Sequence, residues 1–505
     1  MTAREILRRH GAIVAAAVLC AFHFSSFGPG SQPIVTDIRF FVYFAWRVAE
    51  GAVPHLDYFE NKTQLASFAG AFFHKLGDLL GVDPLMAIRW GYLAIAAVGG
   101  LVAYAVLRRL GQDRVVAGGL GLLAYCSFGL LGVMPAIGNI PKLLMAIGGS
   151  VAALLLYRQR WFWAGVAGAL AFMDWQVGGL VGLAALATAA LYGAPRMRAV
   201  LRVVAGGVAG LAPFLLYYGV NGALGSAVRQ VIGSSLFRGS ATLAQRDLSD
   251  RLDKIVDVVN LACPSQQWLV YLGLTGMAVT AWWLWRRRHE DAARLLLPLG
   301  IYHYGVVAFS LIDFQYYGDF FLLLHSVAFF LGVVWVALYG LIESTVAERW
   351  RPIVAAVALV LVFASARPGL LRPRFELVTP IAAPGATLTD QRSVADALNA
   401  RLGDGSVAFM QNSELLFLMG RRNTLPLAYC NVPVWSYHRQ TPDEPFATTC
   451  ARLLLSSGAD ALVPPGWLGY DFLMRNGYVV VPLSSDGGRY SVKVAIRATA
   501  APALP

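Results

Sequence analysis

Long apolar runs separated by short polar segments occupy most of residues 1–366, and they predict a polytopic α-helical membrane protein. A helix needs about 20 apolar residues to cross the hydrocarbon core of a bilayer. We predict about eleven spans, near residues 11–29, 85–107, 115–134, 142–157, 161–174, 177–194, 203–220, 267–285, 295–311, 319–342 and 352–366. The short runs 161–174 and 177–194 are predicted to form a hairpin, because a single long span would place Arg286 to Arg288 outside, against the positive-inside rule.

Between the first two spans, the pattern predicts two further helices that do not cross the membrane. Residues 37–50 form an amphipathic pattern that is typical of a helix lying in the membrane interface. Its polar stripe consists of Arg39, Tyr43, Arg47 and Glu50. Residues 65–81 are apolar but include His74, Lys75 and Asp78, so we predict a re-entrant or interfacial helix that leads into the second span.

Two long polar regions complete the predicted organisation. The loop 222–266 contains a predicted helix at 248–259, and beyond residue 366 the chain has the pattern of a small soluble α/β domain, residues 367–505. The predicted helices of this domain are 390–402, 413–419 and 447–457, and its predicted strands are 407–410, 461–464, 479–482 and 490–496. Residues 1–366 form the predicted transmembrane domain, with a first outer loop at 30–84.

Composition and charge support a membrane protein and give it an orientation. The chain is 57% hydrophobic and 14% charged, with a mean hydropathy of +0.58, which excludes an ordinary soluble protein. Its net charge of +12 comes largely from arginines in alternate loops, so it indicates topology rather than nucleic-acid binding. The N-terminus, including a retained first helix, is predicted to be cytoplasmic and the C-terminal domain periplasmic.

The first outer loop carries the strongest candidate chemistry. Asp57, Glu60 and Lys62 fall within six residues, and we expect them to converge near Asp37, which follows the first span. Two carboxylates and an ammonium group beside the lipid would suit a phosphate-bearing substrate. Taken singly, each of these residues is explained equally well as a solvated anchor at the interface.

The order of residues in this loop resembles a known family. Asp37 opens an aromatic-rich helix with Arg39, Tyr43 and Trp46, and the stretch that follows reads G-A-V-P-H-L-D-Y-F-E-N-K-T-Q. Its matching positions are Gly51, Pro54, Asp57, Tyr58, Phe59 and Lys62. About fifty residues thus resemble the GT-C superfamily of membrane glycosyltransferases, in particular the bacterial branch of protein O-mannosyltransferases and the lipid A aminoarabinose transferase. The family pattern is not complete, because His55, Thr63 and Gln64 replace a tyrosine and two prolines.

The resemblance implies an inverting glycosyltransferase of the bacterial inner membrane that uses a polyprenyl phosphate-linked sugar. Asp37 then corresponds to the general base, and Lys62 faces the donor phosphate. From the residues themselves, Arg39 or Arg47 is expected to add positive charge beside that phosphate. The sequence leaves three alternatives open for Asp57 and Glu60, which are binding of the acceptor, of a divalent metal or of Lys62. The acceptor is a glycan, a lipid or a protein, and no metal-ligand spacing is visible.

A second group of polar residues lies where the ninth and tenth spans meet. Asp313, Gln315, Tyr317, Asp319 and His325 are predicted to reach the substrate from the opposite wall, although a helix-to-helix hydrogen bond explains His325 equally well. Arg229, Arg238, Arg246 and Arg251 in the loop 222–266 contact lipid phosphate or lie on a solvated helix face. In an oxidising compartment, Cys430 and Cys450 can form a disulfide or stay free thiols.

Two other functions fit parts of the same pattern. A transporter or flippase of lipid-linked saccharide would also need basic residues near phosphate, but such proteins commonly show repeated halves and broken helices at mid-membrane depth. Neither feature is visible in the sequence. A polysaccharide polymerase or ligase that uses diphosphate carriers is the third alternative.

Overall fold

The computed structural model describes residues 3–233, 248–287, 291–314, 317–351, scattered positions between 353 and 364, and 385–498 apart from 439, 442 and 443. Most of the predicted span at 352–366 and the start of the C-terminal region therefore lie outside the described residues. Gln315, Arg238 and Arg246 lie outside them as well.

The part of the chain that precedes residue 352 is helical. Its helices are α1 Ala3–Ser25, α2 Ile38–Ala49, α3 Leu65–Leu80, α4 Pro84–Leu110, α5 Val115–Cys126, α6 Gly129–Ile137, α7 Leu143–Tyr157, α8 Trp161–Asp174, α9 Gly179–Tyr192, α10 Arg196–Val220, α11 Leu224–Val228, α12 Leu248–Ala262, α13 Gln267–Arg286, α14 Ala293–Ile312 and α15 Tyr317–Thr345. Short 3-10 turns occur at Gln176–Gly178 and Glu348–Trp350, and a π-helical turn occurs at Arg229–Gly233.

Several of these helices can span a membrane. Among the described residues, α4, α10, α13, α14 and α15 are long and apolar enough, and α5 with α6 adds a sixth span if the bent pair is counted as one. Shorter apolar helices lie at Gly11–Ser25, Leu143–Tyr157 and Gln176–Tyr192. The chain is thus a multi-pass membrane protein, while the number of eleven crossings stays a prediction.

The predicted span at 115–134 consists of two helices, α5 and α6, rather than one. The chain breaks between α5 and α6, and the two helices meet at a bend of 61°. At the break, the carbonyl group of Ser127 accepts a hydrogen bond from the side-chain amide of Gln266, which satisfies a group that a continuous helix would have used. The bend brings residues 138–142, which follow α6, to the end of the bundle where the first loop lies.

By contrast, the residues 161–194 form the predicted hairpin. Trp175 has an extended backbone, and α8 and α9 pack side by side on either side of it. A Cβ built on Gly168 would lie 3.0 Å from the Cα of Gly182, so the two helices approach closely. The tip of this hairpin, Asp174 to Gln176, packs against the first loop.

Helix α2 does not lie on the surface as an interfacial helix would. It packs between α3 and the C-terminal region, and Phe41, Val42 and Phe44 are fully buried. Its polar stripe contacts protein, because the Tyr43 hydroxyl accepts a hydrogen bond of 2.9 Å from the backbone N–H of Asn423. The amphipathic pattern was correct, but the second surface that covers the helix was not foreseen.

The C-terminal region is a small α/β unit with one four-stranded sheet. Its helices are α16 Leu388–Leu402, α17 Ser413–Met419, α18 Val432–His438, α19 Phe446–Ser456 and α20 Asp471–Met474, and its strands are β1 Val407–Phe409, β2 Ala461–Val463, β3 Tyr478–Ser484 and β4 Ser491–Arg497. The strand order is β1-β2-β4-β3; β1 and β2 are parallel, and β4 runs antiparallel to β2 and β3. Cys430 and Cys450 form a disulfide.

This unit packs directly on the first loop. The side-chain amide of Gln391 bonds the backbone N–H and carbonyl of Ile34 at 2.7 and 2.8 Å, and the Leu388 N–H donates to the Ser31 carbonyl. Farther along, the N–H of Phe59 donates to the Pro426 carbonyl at 2.7 Å. The C-terminal unit therefore covers the residues that the sequence singles out for chemistry.

Candidate active site

The stretch after α2 folds into a compact turn that fixes the orientation of its side chains. Asp57 is exposed and accepts a hydrogen bond of 2.6 Å from the Val53 N–H, so its carboxylate holds the turn. His55 has a positive φ of 67° and is buried, and burial lowers its pKa to about 4. The amide of Gln230 bonds the His55 ring and carbonyl and the N–H of Glu60, which ties the loop 222–266 to the first loop.

Glu60 is the most deeply buried of the predicted acidic residues. Its Oε1 accepts the backbone N–H of Lys62 at 3.1 Å and lies 2.9 Å from the Tyr429 hydroxyl, while Oε2 has no hydrogen-bond partner among the described residues. Burial raises the pKa of this carboxyl group to about 7, and the nearby charge of Lys62 opposes that rise. The same Tyr429 hydroxyl lies 3.0 Å from Asn61 Oδ1, so two acceptors share its proton.

Two lysines lie on one tryptophan ring at the tip of the α8–α9 hairpin. The Nζ of Lys62 is 4.5 Å from the centre of the Trp175 ring, and the Nζ of Lys142 is 4.1 Å from it. Lys62 also lies over Phe41 at 5.3 Å. The aromatic rings hold the two ammonium groups close together without neutralising them.

Lys142 is held from several sides. Its backbone adopts the left-handed conformation, with a φ of 86°, and Asp174 Oδ2 accepts the N–H groups of Lys142 and Met145 at 2.8 and 2.9 Å. Its side chain is 3% exposed and pairs with Asp319 at 2.6 Å. A non-glycine residue with this backbone stores strain, and such residues cluster at functional sites.

Asp37 lies at the start of α2 with an exposed side chain. A Cβ built on Gly318 would lie 3.6 Å from both Asp37 Oδ2 and Lys142 Nζ, so these two groups flank the same residue of α15. The carboxylate of Asp37, the Lys142–Asp319 pair and Lys62 therefore form one cluster.

The remaining predicted residues occupy different positions. Arg39 lies 3.9 Å from Glu414 of α17 and donates to the Thr36 carbonyl at 2.9 Å, so it faces the C-terminal unit. Tyr317 is buried and Asp313 is half-buried at the junction of α14 and α15. His325 lies deeper in α15, where its ring packs against Phe321 and Tyr125.

Of the predicted residues, the structure brings together Asp37, Lys62 and Asp319, while the carboxylate of Asp57 accepts the Val53 N–H within its own turn. Lys142 and Tyr429 were missed by the sequence analysis. The signal for Lys142 was present, because an ionisable residue at the end of an apolar run is expensive in a membrane. Among the described residues, no three His, Cys, Asp or Glu side chains are grouped closely enough to hold a metal ion.

Comparison with known proteins identifies the fold. No family model and no curated protein matches the sequence. The arrangement of a helical bundle followed by a small C-terminal sheet is similar to that of solved membrane proteins, and this similarity supports the fold predicted from the sequence.

Three solved structures illustrate the similarity. ArnT from Cupriavidus metallidurans in the apo state matches 97% of this chain and 98% of its own, with a TM-score of 0.58 and 15% identity. The same ArnT bound to undecaprenyl phosphate matches 98% and 100%, with a TM-score of 0.57 and 14% identity. The apo oligosaccharyltransferase from Archaeoglobus fulgidus matches 92% of this chain and 70% of its own, with a TM-score of 0.50 and 12% identity.

Proposed function

We propose that the protein is an inverting glycosyltransferase that moves a sugar from a polyprenyl phosphate-linked donor to an acceptor of the cell envelope. The observation that carries the proposal is the cluster of one exposed carboxylate, Asp37, with two lysines on the Trp175 ring. ArnT, which shares the fold, has been solved with undecaprenyl phosphate bound, and this supports a polyprenyl phosphate as the carrier. The positive-inside pattern supports a reaction on the outer face of a bacterial inner membrane.

The proposed reaction is a single displacement at the anomeric carbon of the sugar. Asp37 accepts the proton of the acceptor hydroxyl or amine as that group forms the new bond. The bond between the anomeric carbon and the phosphate oxygen breaks, and the lipid phosphate leaves with the electron pair. Lys62 and Lys142 stabilise the charge that develops on the leaving phosphate.

Residues 30–84 supply most of this proposed machinery, and the C-terminal unit completes its wall. Glu60 is buried below the lysines, so we assign it to positioning the loop that carries Lys62 rather than to proton transfer. In the absence of donor, the Asp319 carboxylate pairs with the Lys142 ammonium group. When the donor binds, its phosphate would take the place of this carboxylate beside Lys142. Arg39 stays a second candidate for a phosphate contact.

Transfer by purified wild-type and Asp37→Asn protein tests the proposal most directly. Each protein is supplied with a panel of polyprenyl phosphate sugars and a membrane extract as acceptor. We expect Asp37→Asn to lower the transfer rate by about 100-fold or more, because the amide cannot take up the proton. Asp78→Asn, which removes an exposed carboxylate from α3, is the matched control and should keep wild-type activity.

The alternative outcome has a clear meaning. If Asp37→Asn transfers sugar at the wild-type rate, Asp37 is not the base. If the wild-type protein binds polyprenyl phosphate but releases no sugar from any donor, while it moves a lipid-linked sugar across liposomes, the transporter is the correct function.

The role of Lys142 can be separated from its contribution to folding. Lys142→Met removes the 2.6 Å ion pair with the buried Asp319 carboxylate, which we expect to destabilise the protein by about 3 kcal/mol. Adding Asp319→Asn should restore the melting temperature, because the buried negative charge is removed, but it should not restore transfer. Recovery of full activity in the double variant would show that Lys142 only neutralises Asp319.

A further inference from the structure

A polar cavity lies at the end of the bundle opposite the candidate active site. It is formed by the last turns of α4, α13 and α15 together with the loop that follows α4. The first turn of α4 is next to Asp83, which pairs with Arg392 of the C-terminal unit, so the two ends of this helix mark the two ends of the bundle. With 27 residues in α4, the two sites are roughly 40 Å apart.

The cavity is large enough for a small-molecule group and is strongly basic. Its volume is about 520 Å³, within the usual range of ligand sites. Arg114, Arg286 and Arg287 line it with a single acidic residue, Glu343, so the described lining carries a net charge of +2. Glu343 pairs with Arg114, which leaves the other two arginines to dominate the field inside.

The two remaining arginines are stacked on aromatic rings. The guanidinium carbon of Arg286 lies 5.3 Å from the centre of the Trp282 ring, and that of Arg287 lies 5.1 Å from the centre of the Trp283 ring. Stacking fixes the plane of a guanidinium group and leaves its edge to donate hydrogen bonds. Arg287 also donates to the Leu110 carbonyl at 3.4 Å, which ties it to the end of α4.

The walls around the cavity continue as an exposed apolar surface. Trp285 is 66% exposed, Trp282 is 46% exposed and Leu341 is 56% exposed, on helices that face lipid in a multi-pass protein. Tryptophans at the end of a span are typical of the headgroup level of a bilayer. A basic cavity with apolar flanks at this level combines the features that an anionic headgroup and its acyl chains require.

We propose that this cavity binds the phosphate headgroup of an anionic membrane phospholipid, with Arg286 and Arg287 as its phosphate ligands and the acyl chains on the exposed tryptophans. Each planar guanidinium group that lines the cavity can donate two parallel hydrogen bonds to phosphate oxygens, which a point charge cannot do. The site is remote from the cluster around Asp37, and it does not depend on the proposed transfer reaction.

Native mass spectrometry of the full-length protein tests the site. The protein is released from micelles that contain equimolar phosphatidylglycerol and phosphatidylcholine, and the retained lipids are counted. We expect wild-type protein to retain phosphatidylglycerol selectively. The double variant Arg286→Gln/Arg287→Gln should lower its occupancy by about tenfold or more, since each arginine near a headgroup contributes measurably to anionic-lipid binding.

Two further variants separate the cavity from general surface charge. Arg158→Gln/Arg160→Gln removes two exposed arginines from the same end of the bundle, where Tyr157 lies beneath Arg109, and it should retain phosphatidylglycerol like the wild type. Gly340→Trp keeps every charge but fills the cavity, because a Cβ on Gly340 meets no atom within 4 Å. We expect it to lose the lipid as the double arginine variant does.

Other results would overturn the proposal. Unchanged phosphatidylglycerol in both Arg286→Gln/Arg287→Gln and Gly340→Trp would show that the cavity is not the site. If Arg158→Gln/Arg160→Gln loses as much phosphatidylglycerol as Arg286→Gln/Arg287→Gln, general surface charge and not the cavity explains the binding. Displacement of the lipid by an equal concentration of glycerol phosphate would show that the cavity recognises a free phosphate and not a membrane lipid.

Discussion

The buried carboxyl group of Glu60 makes the stability of the protein depend on pH. One carboxyl oxygen is bonded to Tyr429 and the Lys62 backbone, and the other has no hydrogen-bond partner among the described residues. Burial raises the pKa of this group from 4.5 to about 7, so the folded protein holds the proton over a range in which the unfolded chain has released it. The free energy of unfolding therefore falls as the pH rises from about 4.5 to about 7.

The prediction at this scale is the pH dependence of the Glu60→Gln variant. Glutamine keeps the Oε1 acceptor but cannot ionise, so the variant should lack the loss of stability that Glu60 causes. The gain relative to wild type should be small near pH 5 and reach the order of 3 kcal/mol near pH 8. Melting temperatures of both proteins in one detergent measure it, and a gain that does not vary with pH would contradict a raised pKa.

The sequence identified some residues of the site and missed others for a physical reason. Asp37 and Lys62 were found because they stand in a polar loop beside a span, where charges are easily noticed. Lys142 was counted with the apolar run that follows it, and its significance depends on Asp174 and Asp319, which are distant in sequence. Periodicity cannot show which distant carboxylates meet one ammonium group.

At the scale of the helices, small residues decide how closely two spans approach. Helix α8 packs on α10 through Gly165 and Gly206, and a Cβ on either glycine would overlap backbone of the other helix. In lipid there is no hydrophobic driving force between helices, so the van der Waals contacts that glycine permits at close approach stabilise the pair instead. This pair supports the hairpin whose tip carries Trp175.

Substitution of adjacent glycines in α10 tests this contact. Gly206→Ala places its methyl group on the Phe162 carbonyl and should separate α8 from α10, with a loss of about 2 kcal/mol and a lower melting temperature. Gly207→Ala meets no atom within 4 Å and should be neutral or slightly stabilising. Equal effects of the two substitutions would mean that helix propensity, not packing, determines the outcome.

Prediction of the elements succeeded where the pattern was local. The three helices and four strands predicted after residue 387 were anticipated to within about two residues, because turn residues mark their ends, while the short helices Val432–His438 and Asp471–Met474 were not predicted. The break between α5 and α6 was missed, since the Ser127 carbonyl that leaves the helix is satisfied by Gln266 from far along the chain. A hydropathy window detects the apolar run, but it cannot detect a hydrogen-bond partner that is distant in sequence.

Considered as a whole molecule, the protein consists of a helical bundle whose first loop is covered by its last domain. The contacts are polar and specific: Gln391 with the Ile34 backbone, the Tyr43 hydroxyl with the Asn423 N–H, and the Tyr429 hydroxyl with Glu60 and Asn61. The sequence predicted both parts and their fold class. It could not predict their docking, because the apolar residues of α2 do not show which distant segment of the chain covers them.

Removal of one hydroxyl group tests whether this cover matters for transfer. Tyr429→Phe keeps the ring against Phe40 but loses the bond to Glu60 and Asn61, so the loop that carries Lys62 is held less firmly. We expect the transfer rate to fall by about tenfold, the effect of losing one hydrogen bond to a charged group. Tyr470→Phe removes a hydroxyl from the same domain that bonds only the Lys493 carbonyl, and it should remain fully active. Equal rates for the two variants would argue against a role for the cover.

The docking of the last domain on the first loop also sets an order of events during synthesis. Ile34 and Gln391 are separated by 357 positions, and Glu60 and Tyr429 by 369. A ribosome makes the loop much earlier than its cover, so the nascent chain inserts many of its spans while Glu60 and Arg39 still lack their partners. A chain that stalls or is cleaved before residue 388 leaves this loop uncovered, because the residues that close it are made only later.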